Sequence, residues 1–371
     1  MTNRERAIRI LHHESVDRMV AVHFGYWMEL LEEWADQGHI PRELLLGYDD
    51  GNFQDRAIDH IIGWDFNWYH TECGCIRLDP PFEFKVLETL PGGFQRVQNE
   101  EGLIVKIREG LTSIAAEDDY QLKDRDSFEK LYKPRMQYRN ERIPVAYFQN
   151  EFNQQKRDVP IGLHLGSILG EVRNMLSVVG MSYLICDDFG LFQEIVDTYA
   201  NMQYDCAKAV LKTGAKFDFA HYWEDVCYKN GPLINPAMFD ELCAKHYQRR
   251  NDLVHRYGID FISLDCDGVI DQLIPTWFYH GVNTLFPLEI GTWGDQFQSA
   301  RKKYGNGLLG VGGMDKRVFL QDKAAVDKEL ERLEKIAQLK GFIPCPDHRI
   351  MPGSRFELVK YYAKKIKEIR F

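Results

Sequence analysis

Asp347-His348 closes an apolar run near the C-terminus and is the sharpest chemical feature of the chain. An imidazole titrates near neutrality, so at the end of a strand it can give or take a proton or ligate a metal. Glu224-Asp225 and Asp265-x-Asp267 supply four carboxylates. Clustered carboxylates shift one another's proton affinity, bind cations, or orient a cationic or polyhydroxylated substrate. Strand side chains alternate, so Asp265 and Asp267 share a face that Cys266 opposes. Zinc requires three or four converging Cys, His or carboxylate ligands. His348, Asp265, Asp267 and Glu224 are the leading candidates, with His221, Cys266 and Cys345 nearby and Cys73-Gly-Cys75 as a weaker pair. No CxxC pair or HExxH motif supports a metal by spacing, and each cysteine also suits a small core position. Gly310-x-Gly312-Gly313, before Asp315-Lys316-Arg317, would let the backbone approach an anionic group, but its spacing is not a dinucleotide fingerprint.

These residues recur at one place in a repeated pattern. Six runs start apolar and finish polar: VPIGLHLG (159–166), FDFAHYWED (217–225), GIDFISLDCDG (258–268), GVNTLFPLEIG (281–291), GLLGVGGMDK (307–316) and GFIPCPDH (341–348). Helical segments separate them, capped by Asn235-Pro236 and Asp322 at their starts and by Gly214, Gly258 and Gly341 at their ends. DRMVAVHFGYW (17–27) and IIGWDFNWYHTECG (61–74) read as two earlier strands. Eight strands alternating with helices predict a single (β/α)₈ TIM barrel over 1–371, whose site lies at the C-terminal strand ends. Residues 82–110 alternate in period two between PGG and NEEG turns and predict a β-hairpin insertion. The expected pocket therefore gathers His348, Glu224, Asp265 and Asp267 as reacting groups. Tyr26, Trp27, His164, His221, Trp223, Asp315 and Asp347 are its expected substrate contacts.

Composition narrows the function classes. The chain has 371 residues, 44% hydrophobic and 27% charged, with a formal net charge of −10 and no basic block, which disfavours nucleic-acid binding. No apolar run approaches the roughly 20 residues of a membrane span. The opening MTNRERAIRIL lacks a signal core, and eight cysteines without a scaffold rhythm read as reduced thiols, so the expected location is cytoplasmic.

The sequence resembles the uroporphyrinogen decarboxylase superfamily over nearly its whole length. The resemblance rests on NRERAIRILHHESVDRMV, WEDVCYKNGPLINPAMFDEL, LIPTWFYHGVNTLFPLEIG, GVGGMDKRVF and GFIPCPDHRIMPGSRFELVKYY. It implies a barrel and one of two activities. The decarboxylase branch grips the acidic arms of a tetrapyrrole with an arginine run after strand one; here that place reads His23-Phe24-Gly25-Tyr26-Trp27, although His348 matches that branch's pocket histidine. The methyltransferase branch uses zinc held by His-x-Cys and a later Cys; here those places read Asp265-Cys266-Asp267 and His348. The resemblance therefore implies methyl transfer or demethylation, from a small O- or N-methylated substrate to a corrinoid carried by a partner protein, with Zn²⁺ as a candidate cofactor. A tetrapyrrole-type carboxy-lyase and a non-catalytic ligand-binding barrel are the alternatives. A homodimer is a further partner expectation.

Overall fold

Alternating apolar runs and capped amphipathic segments fold into a parallel barrel wrapped by helices. The computed structural model describes residues 1–108, 115–152, 157–291, 294 and 297–370. The barrel strands are β1 (Val22–His23), β2 (Phe66–Asn67), β3 (Thr71–Glu72), and, after an insertion of four strands, β8 (Gly162–Gly166), β9 (Phe219–Trp223), then β12 (Phe261–Asp265), β13 (Thr284–Phe286), β14 (Leu309–Met314) and β15 (Phe342–Pro346). All pair in parallel: β1 with β2, and β3-β8-β9-β12-β13-β14-β15 in one sheet. The second expected strand is broken, with β2 and β3 separated by Trp68–His70. Just beyond β15, Ile350 bridges Tyr26 just beyond β1, with Ile350 N–H donating to Gly25 and Trp27 N–H donating to Ile350, each at 3.1 Å. The pairings thus run round eight strand positions. Strands such as β12 and β14 are buried throughout because helices cover the outer face and side chains fill the interior.

The helices begin where their caps predict. Asn235 and Pro236 open Pro236–Arg256, with the Asn235 carboxamide accepting the Ala237 N–H, and Asp322 caps Lys323–Ala337 in the same way. Thr2 and Glu5 form a reciprocal capping box on Asn3–Leu11. Among the described residues no helix is long and apolar enough to cross a membrane.

The insertion is larger than its sequence pattern implies. β4 (Lys85–Thr89), β5 (Phe94–Gln98), β6 (Leu103–Arg108) and β7 (Ala116–Tyr120) form an antiparallel sheet in that order. Glu109 and Gly110, at the end of the expected hairpin segment, lie outside the described residues. β7 reads AEDDY, a poor strand former by composition. Cross-strand ion pairs hold it: Asp118 meets Arg96 at 2.5 Å and also Lys106. The β5–β6 turn carries Glu100 and Glu101 to the rim of the barrel cavity. A minor hairpin of β10 (Cys227–Tyr228) and β11 (Gly231–Pro232) follows β9.

Candidate active site

A cavity of about 730 Å³ opens at the C-terminal strand ends, the volume of a small-molecule site. At one end it is walled by Phe24, Tyr69, Trp223, Asp225, Asp265, Asp267 and His348; Arg77, Glu100, Glu101, Glu171 and Tyr199 also line it. Asp225, Asp265 and Asp267 each place a carboxylate oxygen within 4.8 Å of the other two. His348 Nε2 stands 3.3 Å from Asp267 Oδ2. Its ring stacks on Trp27 at 5.9 Å and meets Phe24 edge-on at 5.7 Å, which fixes its plane.

The backbone aims these groups. Asp225 adopts φ 45°, the left-handed region that Asp tolerates, and its carboxylate accepts the Asp267 N–H at 3.0 Å. Asp265, at the end of β12, accepts a hydrogen bond from the Tyr69 hydroxyl. Burial, then the charges of Asp225 and Asp267, hold the Asp265 carboxyl well above the usual range. Burial and Asp267 push Asp225 up to about 6. Three carboxylates this close retain a proton or take a cation.

One consequence is a pH-dependent stability cost. The unfolded Asp225 titrates near 3.8 and the folded one near 6, so the folded state binds this proton first. Wild-type stability then falls as pH rises through that window and stays lowered above it. Asp225→Asn keeps an acceptor for the Asp267 N–H and removes the charge. Its melting temperature should exceed that of wild type at pH 8, with the gap closing toward pH 4; calorimetry showing no such pH dependence would contradict this assignment.

The structure separates the remaining expected residues. His164 lines the cavity and accepts the Gly166 N–H on Nδ1 at 2.9 Å; burial lowers it to about 4, so it is neutral. Trp223 also lines the cavity. Trp27 and Tyr26 do not: Trp27 backs His348, and Tyr26 is buried against His23 and Trp34. His221 is buried inside the barrel, with Nδ1 on Ser263 Oγ at 2.6 Å. Asp315 lies outside the cavity in an ion pair with Arg317 at 2.7 Å.

Glu224 and Asp347 need correction as site residues. Glu224 is 0% exposed and turns away from the cavity. Its carboxylate accepts N–H groups of Ile168, Leu169 and Gly170 at 2.7–3.0 Å, the Ser167 hydroxyl at 3.0 Å and the Tyr247 hydroxyl at 2.6 Å. It is the anion that caps the helix Gly170–Asp187. Gly170 permits this contact, since a Cβ there would fall 1.9 Å from the Glu224 carbonyl oxygen. Asp347 is 2% exposed and accepts N–H groups of Ile290 at 2.8 Å and Lys316 at 3.2 Å, tying β13, β14 and β15 together.

Tyr69, Phe24 and Glu171 line the cavity without having been singled out as contacts from the sequence, and Asp225, one of the four carboxylates noted there, lines it too. Tyr69 had a usable signal, an aromatic two residues after Asn67 near the end of the second expected strand. Burial raises Glu171 to about 7, and its carboxylate accepts from the Tyr199 hydroxyl. Arg349, beside His348, is consumed by Asp50.

The donor set decides what metal the site suits. Cys266 is buried with its sulfur 3.5 Å from the Asp267 carbonyl, and Cys345 is wholly buried in β15; burial pushes both thiols well up. Thiolate-ligated zinc does not fit. Asp225, Asp265, Asp267 and His348 fit an oxygen-preferring divalent ion.

A family model described as uroporphyrinogen decarboxylase (URO-D) matches residues 125–369. No curated protein matches the chain. Among solved structures, a methyltransferase from Methanosarcina mazei is similar with a TM-score of 0.60 at 16% identity, covering 99% of each chain, a likeness of fold. A structure described as a vitamin-B12-independent methionine synthase from Listeria monocytogenes has a TM-score of 0.33 at 13% identity, covering 60% of this chain and 70% of its own.

Proposed function

The chain belongs to the uroporphyrinogen decarboxylase family, and from that premise we propose that it removes a methyl group from a small O- or N-methylated molecule and passes it to a corrinoid carried by a partner protein. The observation that carries this reading is an acidic, aromatic-walled cavity where a decarboxylase needs cationic groups. Where the decarboxylase branch has its arginine run, Phe24 forms cavity wall, His23 is buried against Asp59 at 2.6 Å, and Tyr26 is buried behind them. Asp225 and Asp267 would repel the acidic arms of a tetrapyrrole. The described fold, shared with a protein called a methyltransferase, agrees with the proposal.

The residues would act as follows. Phe24, Tyr69 and Trp223 hold the substrate body while the carboxylate group and His348 face its methylated heteroatom. When a methyl ether loses its methyl, the C–O electron pair stays on oxygen, and that oxygen needs a proton. His348 delivers it, or Asp265 does, since burial raises its proton affinity. When a methylammonium is demethylated, the amine leaves neutral and His348 only orients it. The corrinoid would supply the nucleophile that takes the methyl. A divalent metal, if one joins, would be held by Asp225, Asp265, Asp267 and His348, and would polarise the leaving heteroatom.

The test is methyl transfer to free cob(I)alamin from a panel of methyl ethers and methylamines, followed by cobalamin absorbance. At least one donor should methylate cobalamin in proportion to enzyme. Release of CO₂ from a porphyrinogen, with no donor methylating cobalamin, would replace this reading with the carboxy-lyase one.

A further inference from the structure

The cavity's charge and walls specify its ligand more closely than methyl chemistry does. Three carboxylates converge at its inner end, and Glu171, Glu100 and Glu101 add acidic groups along its length. Among the described residues no Lys or Arg forms an ion pair with Asp225, Asp265 or Asp267, although the charges of Arg173 and Arg349 act on Asp225 and Asp265. Arg349 is held by Asp50 and Asp79 is held by Arg139 at 2.5 Å, while Arg173 lies over the Trp223 ring at 5.8 Å without itself lining the cavity. Arg77 lines the cavity with Cys73, Cys75 and Asp79, where its charge acts on Glu171 and not on the three aspartates, and His164 is neutral. Asp267 Oδ1 is buried and has no hydrogen-bond partner among the described residues. Aromatic rings of Phe24, Tyr69 and Trp223 wall the same end.

A metal ion alone would leave most of this cavity unfilled. Asp265 already accepts from Tyr69, and Asp225 already accepts the Asp267 N–H at 3.0 Å, so a hard cation held here would complete its shell with water. Space for a whole organic molecule adjoins the carboxylates. Ring faces beside carboxylates recognise an ammonium or quaternary ammonium group, whose diffuse charge suits both.

We propose that the ligand of this cavity is an organic cation, with its ammonium head seated between Asp267, Asp225 and the rings of Tyr69 and Trp223. The proposal rests on the small-molecule site described above. It fixes the charge of the ligand and leaves open which atom carries the methyl.

Choline and 3,3-dimethylbutan-1-ol have nearly the same shape and differ in charge, so they form the decisive pair. Isothermal titration of the full-length protein, freed of metal by a chelator, should show choline binding at least about tenfold more tightly than the neutral isostere. Asp267→Asn and Trp223→Ala should each weaken choline about fivefold or more with the melting temperature held. Equal binding of the pair, failure of choline to bind, or Mg²⁺ or Zn²⁺ displacing choline from the same site at stoichiometric concentration would overturn the proposal. The methyl-transfer assay separates this from the preceding reading. A neutral methyl ether that is demethylated without charge-selective binding removes only the cation. Charge-selective binding with no methyl donor found removes only methyl transfer.

Discussion

Glu224→Gln will destabilise the fold by about 3 kcal/mol, as expected for disrupting a buried, charge-assisted hydrogen-bond cluster. Five donors converge on this carboxylate: three backbone N–H groups at the start of Gly170–Asp187, Ser167 and Tyr247. A glutamine of the same shape keeps one acceptor oxygen but turns an amide N–H₂ toward donors, and it removes the charge opposite the helix N-terminus. Urea unfolding should show a lower midpoint at unchanged slope. Any loss of turnover should track the fraction unfolded and recover at low temperature or with stabilising osmolyte. Wild-type stability together with abolished activity would return Glu224 to the reacting groups.

That correction shows what the sequence could and could not convey. Barrel strands were legible because a strand covered on both faces is apolar until it meets solvent at its end, as FISLD and GFIPCPDH do. The caps at Asn235 and Asp322 were legible because they act within a single turn. Side-chain direction at the strand ends was not. Within Glu224-Asp225, Glu224 turns to the helix and Asp225 to the cavity, a choice made by the left-handed backbone at Asp225. Asp347-His348 divides likewise: Asp347 turns inward to backbone N–H groups of neighbouring strand ends and His348 faces the cavity. Both inward carboxylates satisfy donors more than fifty residues away, which no local spacing encodes. Tyr69 lies in the break between β2 and β3, so its place near a strand end marked it but strand alternation could not aim it. The fourth strand of the insertion was unreadable because its pairing depends on Arg96 and Lys106 rather than on apolar alternation.

His348→Ala should leave the protein folded and lower turnover of a methyl ether about 10²–10⁴-fold, the usual contribution of a positioned general acid. The ring is partly exposed at the cavity and packs on Trp27 and Phe24, so its removal opens space toward solvent and leaves the core intact. Asp267, 3.3 Å from Nε2, orients the ring, and Nδ1 is buried with no partner among the described residues. The variant that decides the role is His348→Gln, whose amide donates a hydrogen bond but does not release a proton at neutral pH. With a methyl ether, Gln should restore little, because the departing oxygen carries the developing charge. With a methylammonium, the departing amine is already neutral, so Gln should recover much of the rate while Ala does not. Rates for both variants with one substrate of each kind therefore read the chemistry directly. If Ala and Gln both retain wild-type turnover of a confirmed substrate, His348 is only part of the wall and the proton must come from Asp265.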